Sequence, residues 1–172
     1  AATGLRAIVF LEVFGRDASA LDRFHELHAR IESQLSDRVL VGVSPHAPYT
    51  CTTELYRACA DLELPQATHL AESLSERDYL VEGAGDWTPF ADLLVSPPGE
   101  TGIRMLAAAG LLGPGLLAAH CVHADEEEIA LLARHGAGQH GREQLLLLLA
   151  VVHQHGVAVE IQRGLRDPAR SL

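Results

Sequence analysis

Two short apolar segments each end in a histidine that is followed by polar residues. The first ends at His69, within residues 67–73, and the second ends at His120, after residues 116–119. Each segment predicts a short buried strand of a parallel α/β sheet, and ligands and catalytic groups collect at the carboxyl ends of such strands. Neutral imidazole is the commonest protein ligand for zinc. His69 and His120 are therefore predicted to share one metal ion.

A carboxylate follows the first of these histidines, at Glu72. On an extended strand, residues i and i+3 face opposite sides, so Glu72 reaches the same site only if the chain has already curled into a loop. In that position Glu72 would serve as a general acid/base beside a metal-bound water. The alternative remains that each histidine is only a satisfied polar group at the end of an apolar strand.

Composition and charge exclude several classes of partner. The chain has 172 residues and a formal net charge of −10, without a basic patch that alternates with aromatic residues, so we expect no nucleic-acid partner. The longest apolar run, residues 145–152, is too short to span a bilayer, so we expect no membrane partner. Three cysteines form no C-x-x-C pair, which favours a reduced, cytoplasmic location. The abrupt start at Ala1 suggests a fragment.

Hydrophobic patterning predicts strands that alternate with helices, which is typical of an α/β fold. Besides the two histidine segments, strands are predicted at residues 6–14, 39–43 and 157–161, and helices at residues 19–35, 53–62, 101–112, 126–135 and 143–154. Glu12 lies near the end of the first strand, where it faces either a site or solvent. Residues 73–100 are predicted to be irregular and to form a lid or binding segment. Trp87, the only tryptophan, lies there as a candidate substrate wall, with loop packing as the alternative.

Other histidines differ in how strongly their surroundings suggest a function. Prolines 45 and 48 flank His46 and restrict the backbone, which sets the direction of the imidazole and favours a functional role. His123 lies between the second histidine segment and the next helix, within reach of the site. His153 and His155 imitate an H-x-H metal motif, but their predicted place is the last turn of a helix, where histidines favourably meet the helix dipole.

Three linked segments carry a resemblance to a known family: VGVSPHAPYT at residues 41–50, HLAES at residues 69–73, and AHCVH at residues 119–123 followed by DEEEI. In this order and spacing they resemble the amidohydrolase superfamily, in particular its metal-dependent deaminase and chlorohydrolase branch. The resemblance covers about residues 5–137. It implies an incomplete (β/α)₈ barrel of the TIM type, with about five parallel strands and intervening helices in residues 1–162, then a polar tail, residues 163–172.

The resemblance also implies a reaction and roles for site residues. His69 and His120 would bind one divalent metal, zinc first and iron as the alternative. Glu72 would shuttle protons, and His46 would bind the substrate and the developing oxyanion. Trp87 and His123 are further candidates for substrate binding because of their positions in the sequence. The implied reaction is hydrolytic deamination of a small heterocyclic amine, purine or nucleoside-like, by metal-bound hydroxide.

Several parts of the family pattern are missing, and they limit what this chain is expected to do. An H-x-H pair would lie before Ala1, residues 138–143 replace a histidine-cysteine-proline stretch, and Gln162 follows the last predicted strand where the family has an aspartate. The register of residues 139–162 is therefore open. Whether the chain is an enzyme also stays open, although we expect it to be inactive alone. The alternative is a degenerate, non-catalytic domain that completes its sheet with a partner chain, including a homo-oligomer formed through open sheet edges.

Overall fold

The computed structural model describes residues 6–137 and the backbone of residues 147–153 and 156–162. Strands in these residues are β1 (Ala7–Val13), β2 (Val39–Pro45), β3 (Gln66–Leu70), β4 (Leu116–His120), β5 (Leu147–His153) and β6 (Gly156–Gln162). The α-helices are α1 (Leu21–Ile31), α2 (Thr53–Ala60), α3 (Leu74–Glu82), α4 (Gly102–Ala108) and α5 (Glu126–His135). Short 3₁₀ turns span Ala18–Ala20, Glu32–Gln34 and Thr88–Leu93.

The six strands form one sheet in the order β4-β3-β2-β1-β5-β6. Strands β1 to β4 are parallel neighbours, β5 pairs parallel with β1, and β6 pairs antiparallel with β5. Helices connect the first four strands. The predicted α/β fold, with parallel strands alternating with helices, is confirmed.

Capping side chains fix where the helices begin and end. Thr52 accepts a hydrogen bond from the backbone N–H of Leu55 at the start of α2. Asp125 and Glu128 form a reciprocal capping box at the start of α5, and Gly136 ends that helix with a φ of 70°. Such caps satisfy backbone groups that have no partner within the helix. The sequence pattern placed the start of α2 and both ends of α5 correctly, while α2 ends two residues earlier than predicted.

The two faces of the sheet carry different groups of side chains. One face packs against the helices in the main hydrophobic core, which includes Leu11 and Val43 from the strands and Leu55 and Leu106 from the helices. On the other face, Ile8, Phe10 and Ala67 form a small apolar cluster. Alternate residues of a strand lie on the same face, so this second face continues to Glu12 on β1 and His69 on β3. The candidate site thus lies on the second face, at the carboxyl ends of the strands.

Two predicted elements are wrong. Residues 73–100 are not irregular throughout, because they contain α3 and a 3₁₀ turn at Thr88–Leu93. Helix α3 buries only a few side chains, among them Tyr79 and Leu80, so it lacks the wide apolar stripe that marks most helices. The helix predicted for residues 143–154 is instead strand β5 over Leu147–His153. A short, fully apolar run fits either element, and here its pairing with β1 decides for the strand.

Other predictions at the carboxyl-terminal end have mixed outcomes. The strand predicted at residues 157–161 is β6, but it pairs antiparallel with β5 and is not one of the predicted parallel strands. His153 ends a strand and does not lie in a helical turn, so its predicted contact with a helix dipole is wrong. His155 and residues 138–146 and 163–172 lie outside the described residues. In the described part of the chain, no helix combines the length and the apolar character needed to cross a bilayer.

Candidate metal and catalytic site

The backbone at the ends of β3 and β4 brings the two key histidines together. His69 is paired in register with Ala119, and Leu70 with His120. Because Leu70 belongs to the helix-facing core, a regular strand would direct His120 to that same face. His120 instead has a φ of 65°, a left-handed conformation that is uncommon for residues other than glycine. This turn brings its imidazole to that of His69.

Cross-loop hydrogen bonds hold these turns. The chain leaves β3 through Ala71, whose φ is 49°, and leaves β4 through Cys121, whose φ is 53°. The N–H of Cys121 donates to the carbonyl of Leu70 at 2.9 Å, and the N–H of His123 donates to the carbonyl of Ala71 at 2.9 Å. The two loops are therefore fixed relative to each other. Backbone strain of this kind concentrates at functional sites.

The two imidazoles are direct neighbours. His69 Nδ1 lies 2.9 Å from His120 Nε2, and the rings stack with centroids 5.0 Å apart. The carboxylate of Glu72 lies at the edge of this pair, with Oε1 3.7 Å from His120 Nε2. Its side chain is 49% exposed, against 14% for His69 and 20% for His120. A group of two nearly buried imidazoles thus has a half-exposed carboxylate at its open side.

The second nitrogen of His69 faces the buried carboxylate of Glu12. The sequence alone did not decide whether Glu12 faces the site or solvent. Nε2 of His69 lies 3.4 Å from Oε1 of Glu12, whose side chain is 1% exposed. The even spacing of Ile8, Phe10 and Glu12 along β1 was the signal that placed this carboxylate on the site face. Glu12 therefore belongs to the candidate site.

His46 is positioned through its own backbone. Its N–H donates to the carbonyl of Val13 at 3.0 Å, and its carbonyl accepts the N–H of His69 at 2.9 Å. The hydroxyl of Thr68 donates to the same carbonyl at 3.1 Å, and the buried Tyr56 hydroxyl is 2.6 Å from that of Thr68. The loop that carries His46 is thus pinned to both neighbouring strands.

The ring of His46 points into the same group of side chains. Its Nδ1 lies 2.7 Å from the hydroxyl of Thr50, and its ring meets that of His69 edge to face, with centroids 5.2 Å apart. Because the Thr50 hydroxyl can donate or accept, it influences which ring nitrogen of His46 carries the proton. The contact with His69 places the ring of His46 beside the candidate metal position.

Aromatic rings extend from His46 to the surface. Tyr49 meets His46 edge to face with centroids 5.5 Å apart, and Trp87 packs on Tyr49 with centroids 4.5 Å apart. Phe14 lies against the other side of His46, at 4.4 Å. The predicted substrate wall, Trp87, is therefore linked to the site through Tyr49, which the sequence did not single out.

His123 lies apart from this group of side chains. Its side chain lines a small cleft together with Glu76, Arg77 and Thr101. Among the described residues, the clusters of groups able to hold a metal contain His69 with Glu72 and His120, or His69 with Glu12 and His46, and neither contains His123. The predicted contribution of His123 to the substrate site thus gains no support from its position.

Negative charge dominates the electrostatics of the site. Burial raises the pKa of Tyr49 well above its usual range, and the carboxylates of Glu76, Glu72 and Glu12 raise it further. The same three acidic side chains that disfavour a negatively charged Tyr49 would stabilise a positively charged group near it. The site is therefore suited to a positively charged ligand.

The donor set fits a single zinc ion. Two nitrogens bound to one tetrahedral zinc at about 2.1 Å lie about 3.4 Å apart, so the observed 2.9 Å needs only a small separation of the rings. An imidazole normally binds a metal through one nitrogen. His69 can therefore be a ligand in only one of the two candidate clusters at a time. Binding through Nδ1 uses both imidazoles and leaves Nε2 to donate to the Glu12 carboxylate, the arrangement common for metal-bound histidines.

Comparison with known protein families identifies the family of this chain. The model of the amidohydrolase family matches residues 1–158, and the chain belongs to that family. Within the family, its similarities lie in the deaminase branch. A 5-methylthioadenosine/S-adenosylhomocysteine deaminase of Symbiobacterium thermophilum is 37% identical over 145 residues, which cover 79% of this chain and 30% of that relative.

Solved structures show the same fold. Aminofutalosine deaminase of Helicobacter pylori superposes with a TM-score of 0.63 at 18% identity, over 86% of this chain and 37% of that one. An adenosine deaminase from Xanthomonas campestris, solved with bound zinc, gives a TM-score of 0.58 at 24% identity, over 79% and 30% of the two chains. The chain thus has part of the amidohydrolase barrel and spans about a third of the length of the relatives it matches.

Proposed function

We propose that this chain carries part of the active site of a metal-dependent deaminase, in which His69 and His120 hold one divalent metal, zinc or alternatively iron. The observation that carries the proposal is the contact between Nδ1 of His69 and Nε2 of His120, with Glu72 at its open side. Family membership makes hydrolytic deamination the reaction to consider first.

The residues around the metal position have separate roles in such a reaction. A bound zinc would supply Lewis acidity and lower the pKa of a coordinated water to about 7. Glu72, half exposed and next to His120, accepts a proton from the attacking water and delivers it to the leaving amine. The ring of His46 would interact with the oxygen that develops negative charge, while its Nδ1 is hydrogen-bonded to Thr50. Glu12 orients the ring of His69 through its Nε2 atom, the nitrogen that does not face His120.

We propose an aminated purine, free or as a nucleoside, as the substrate class. Tyr49 and Trp87 provide flat aromatic surfaces beside His46, and such surfaces stack on heterocyclic rings. The names of the deaminases similar to this chain include adenine nucleosides, which supports the same class.

We further propose that this chain alone binds the metal without turning substrate over. Catalytic zinc normally has three protein ligands and a water, whereas this site supplies two imidazole ligands, His69 and His120, because Glu72 is assigned to proton transfer. The test is to load the purified chain with zinc and measure ammonia release from 5-methylthioadenosine, S-adenosylhomocysteine and adenosine, with His69→Ala as control. We expect close to one bound zinc and no release above the control. Zinc-dependent release that His69→Ala abolishes would refute inactivity and would support the deaminase assignment.

An edge strand of the described sheet supports a second candidate, a non-catalytic domain that pairs with another chain. Strand β4 lies at one end of the described sheet and has β3 as its single strand neighbour. An unpaired edge offers backbone donors and acceptors to a further strand. Light scattering during size-exclusion chromatography distinguishes the two. A monomer that binds zinc favours the deaminase fragment, and a stable dimer without zinc affinity favours the second candidate.

A further inference from the structure

The backbone that carries Glu72 is held in an unfavourable conformation. Ala71, immediately before it, has a φ of 49°, a region that residues with a Cβ rarely adopt. The position of the Glu72 carboxylate, 3.7 Å from His120 Nε2, depends on this turn. A turn of this kind persists only where surrounding groups stabilise it.

A second glutamate provides that stabilisation. Oε1 of Glu76 accepts the N–H of Ala71 at 3.0 Å, and Oε2 accepts the N–H of Glu72 at 2.9 Å. Glu76 is 2% exposed, and its own N–H donates to the Ser73 hydroxyl at 3.1 Å. One buried carboxylate thus uses both oxygens on the two consecutive N–H groups of the turn.

The other buried glutamate of this kind shows what an ordinary cap does. Glu128, 1% exposed and also the third residue of its helix, accepts the N–H of the cap residue Asp125 at 2.9 Å. Glu76 instead reaches past its own cap residue, Ser73, to the two residues before it. Capping helix α3 therefore does not account for where the Glu76 carboxylate lies.

We propose that Glu76 is a positioning residue that holds the Ala71–Glu72 turn so that the Glu72 carboxylate faces the metal ligand His120. This inference rests on the proposed role of Glu72 and adds a residue that acts through it. A carboxylate suits the task because it offers two acceptors side by side, whereas the amide of glutamine would face one N–H with another donor. Burial raises the pKa of Glu76, and the backbone N–H bonds oppose that rise by favouring the charged form.

Two readouts on the intact chain test this role. The first is amide hydrogen exchange at Ala71 and Glu72, which needs no metal. Glu76→Gln should make at least one of these amides exchange about tenfold faster, because one acceptor is lost. Glu128→Gln is the matched control, since it alters an equally buried glutamate at the same helix position and should leave both amides unchanged. Glu76→Asp, which keeps both oxygens, should restore part of the protection.

The second readout is the visible spectrum of bound Co²⁺, used as a probe for zinc. Glu76→Gln should reproduce the spectral change caused by Glu72→Gln, while Glu128→Gln should retain the wild-type spectrum. A wild-type spectrum in Glu76→Gln where Glu72→Gln changes the spectrum, or unchanged exchange at both amides, would overturn the inference and leave the metal site intact. Failure of the wild-type chain to bind Co²⁺ would instead contradict the proposed function, and the positioning role would fall with it.

Discussion

Glycine 42 is the position at which the packing of the site face is most easily tested. It lies on β2, where a Cβ would meet two atoms of the Phe10 ring at 2.6 Å and the carbonyl oxygen of Pro65 at 2.7 Å. The ring of Phe10 is 1% exposed, and the Pro65 carbonyl accepts the N–H of Val43 at 2.9 Å. Neither neighbour can move without disturbing the contact between β1, β2 and β3. Gly42→Ala should therefore destabilise the fold.

The expected loss follows from two opposing effects. Overpacking of a well-packed interior costs about 1–3 kcal/mol, and weakening the Val43–Pro65 hydrogen bond adds about 0.5–1.5 kcal/mol. Alanine recovers about 0.5–1 kcal/mol because it restricts the unfolded chain more than glycine does. The net prediction is a decrease of about 2 kcal/mol in the free energy of unfolding.

Urea unfolding, followed by circular dichroism and by Trp87 fluorescence, measures this difference. Gly113→Ala is the matched control, because a Cβ there meets no heavy atom within 4 Å. That variant should be neutral or more stable by about 0.4–1 kcal/mol. Equal stabilities of the Gly42→Ala and Gly113→Ala variants would refute the packing described for the second face of the sheet.

Three further predictions concern the periphery of the site. Hydrogen bonds from Glu128 and Arg104 lower the pKa of Asp125 below 3.8. Asp125→Asn should therefore lower the free energy of unfolding at pH 7, and the difference from wild type should shrink as the pH falls below 3.8. A stability difference that persists in acid would contradict this. Burial raises the pKa of the Cys59 thiol to about 12, so Cys59 should resist iodoacetamide at pH 8 until urea unfolds the chain, as mass spectrometry can check. Arg16 donates to the carbonyls of Asp92 and Leu94 at 3.0 and 2.8 Å, so Arg16→Ala should loosen that segment and shift Trp87 emission to the red, with circular dichroism unchanged; emission that stays the same would argue against the contact.

The sequence predicted the features that depend on local chemistry. The end of β4 at His120, and the end of β3 one residue after His69, follow from apolar runs that stop at polar residues. The bounds of α5 follow from the pattern of residues 126–135. The alternation of parallel strands and helices follows from the same patterns. These features need only neighbouring residues, so one sequence is enough to find them.

Features that depend on distant contacts could not be predicted in the same way. The left-handed turns at Ala71 and His120 contain no glycine that would indicate them in the sequence. Hydrogen bonds across the two loops stabilise them. Helix α3 lacks a broad apolar stripe, and β5 could equally have been a helix until its pairing with β1 was known. Glu76 lies in a segment that was predicted to be irregular, and only the structure shows which amides its carboxylate accepts.

The central claim is that Nδ1 of His69 and Nε2 of His120 bind the same metal ion. Nitrogen-15 NMR of the histidine side chains during a zinc titration tests it most directly, because each ring nitrogen gives its own signal. We predict that one equivalent of zinc shifts these two nitrogens together, while the rings of His25 and His28 on α1 keep their signals. A shift confined to other histidines, or a shift of His69 through Nε2 with His120 unchanged, would contradict the account.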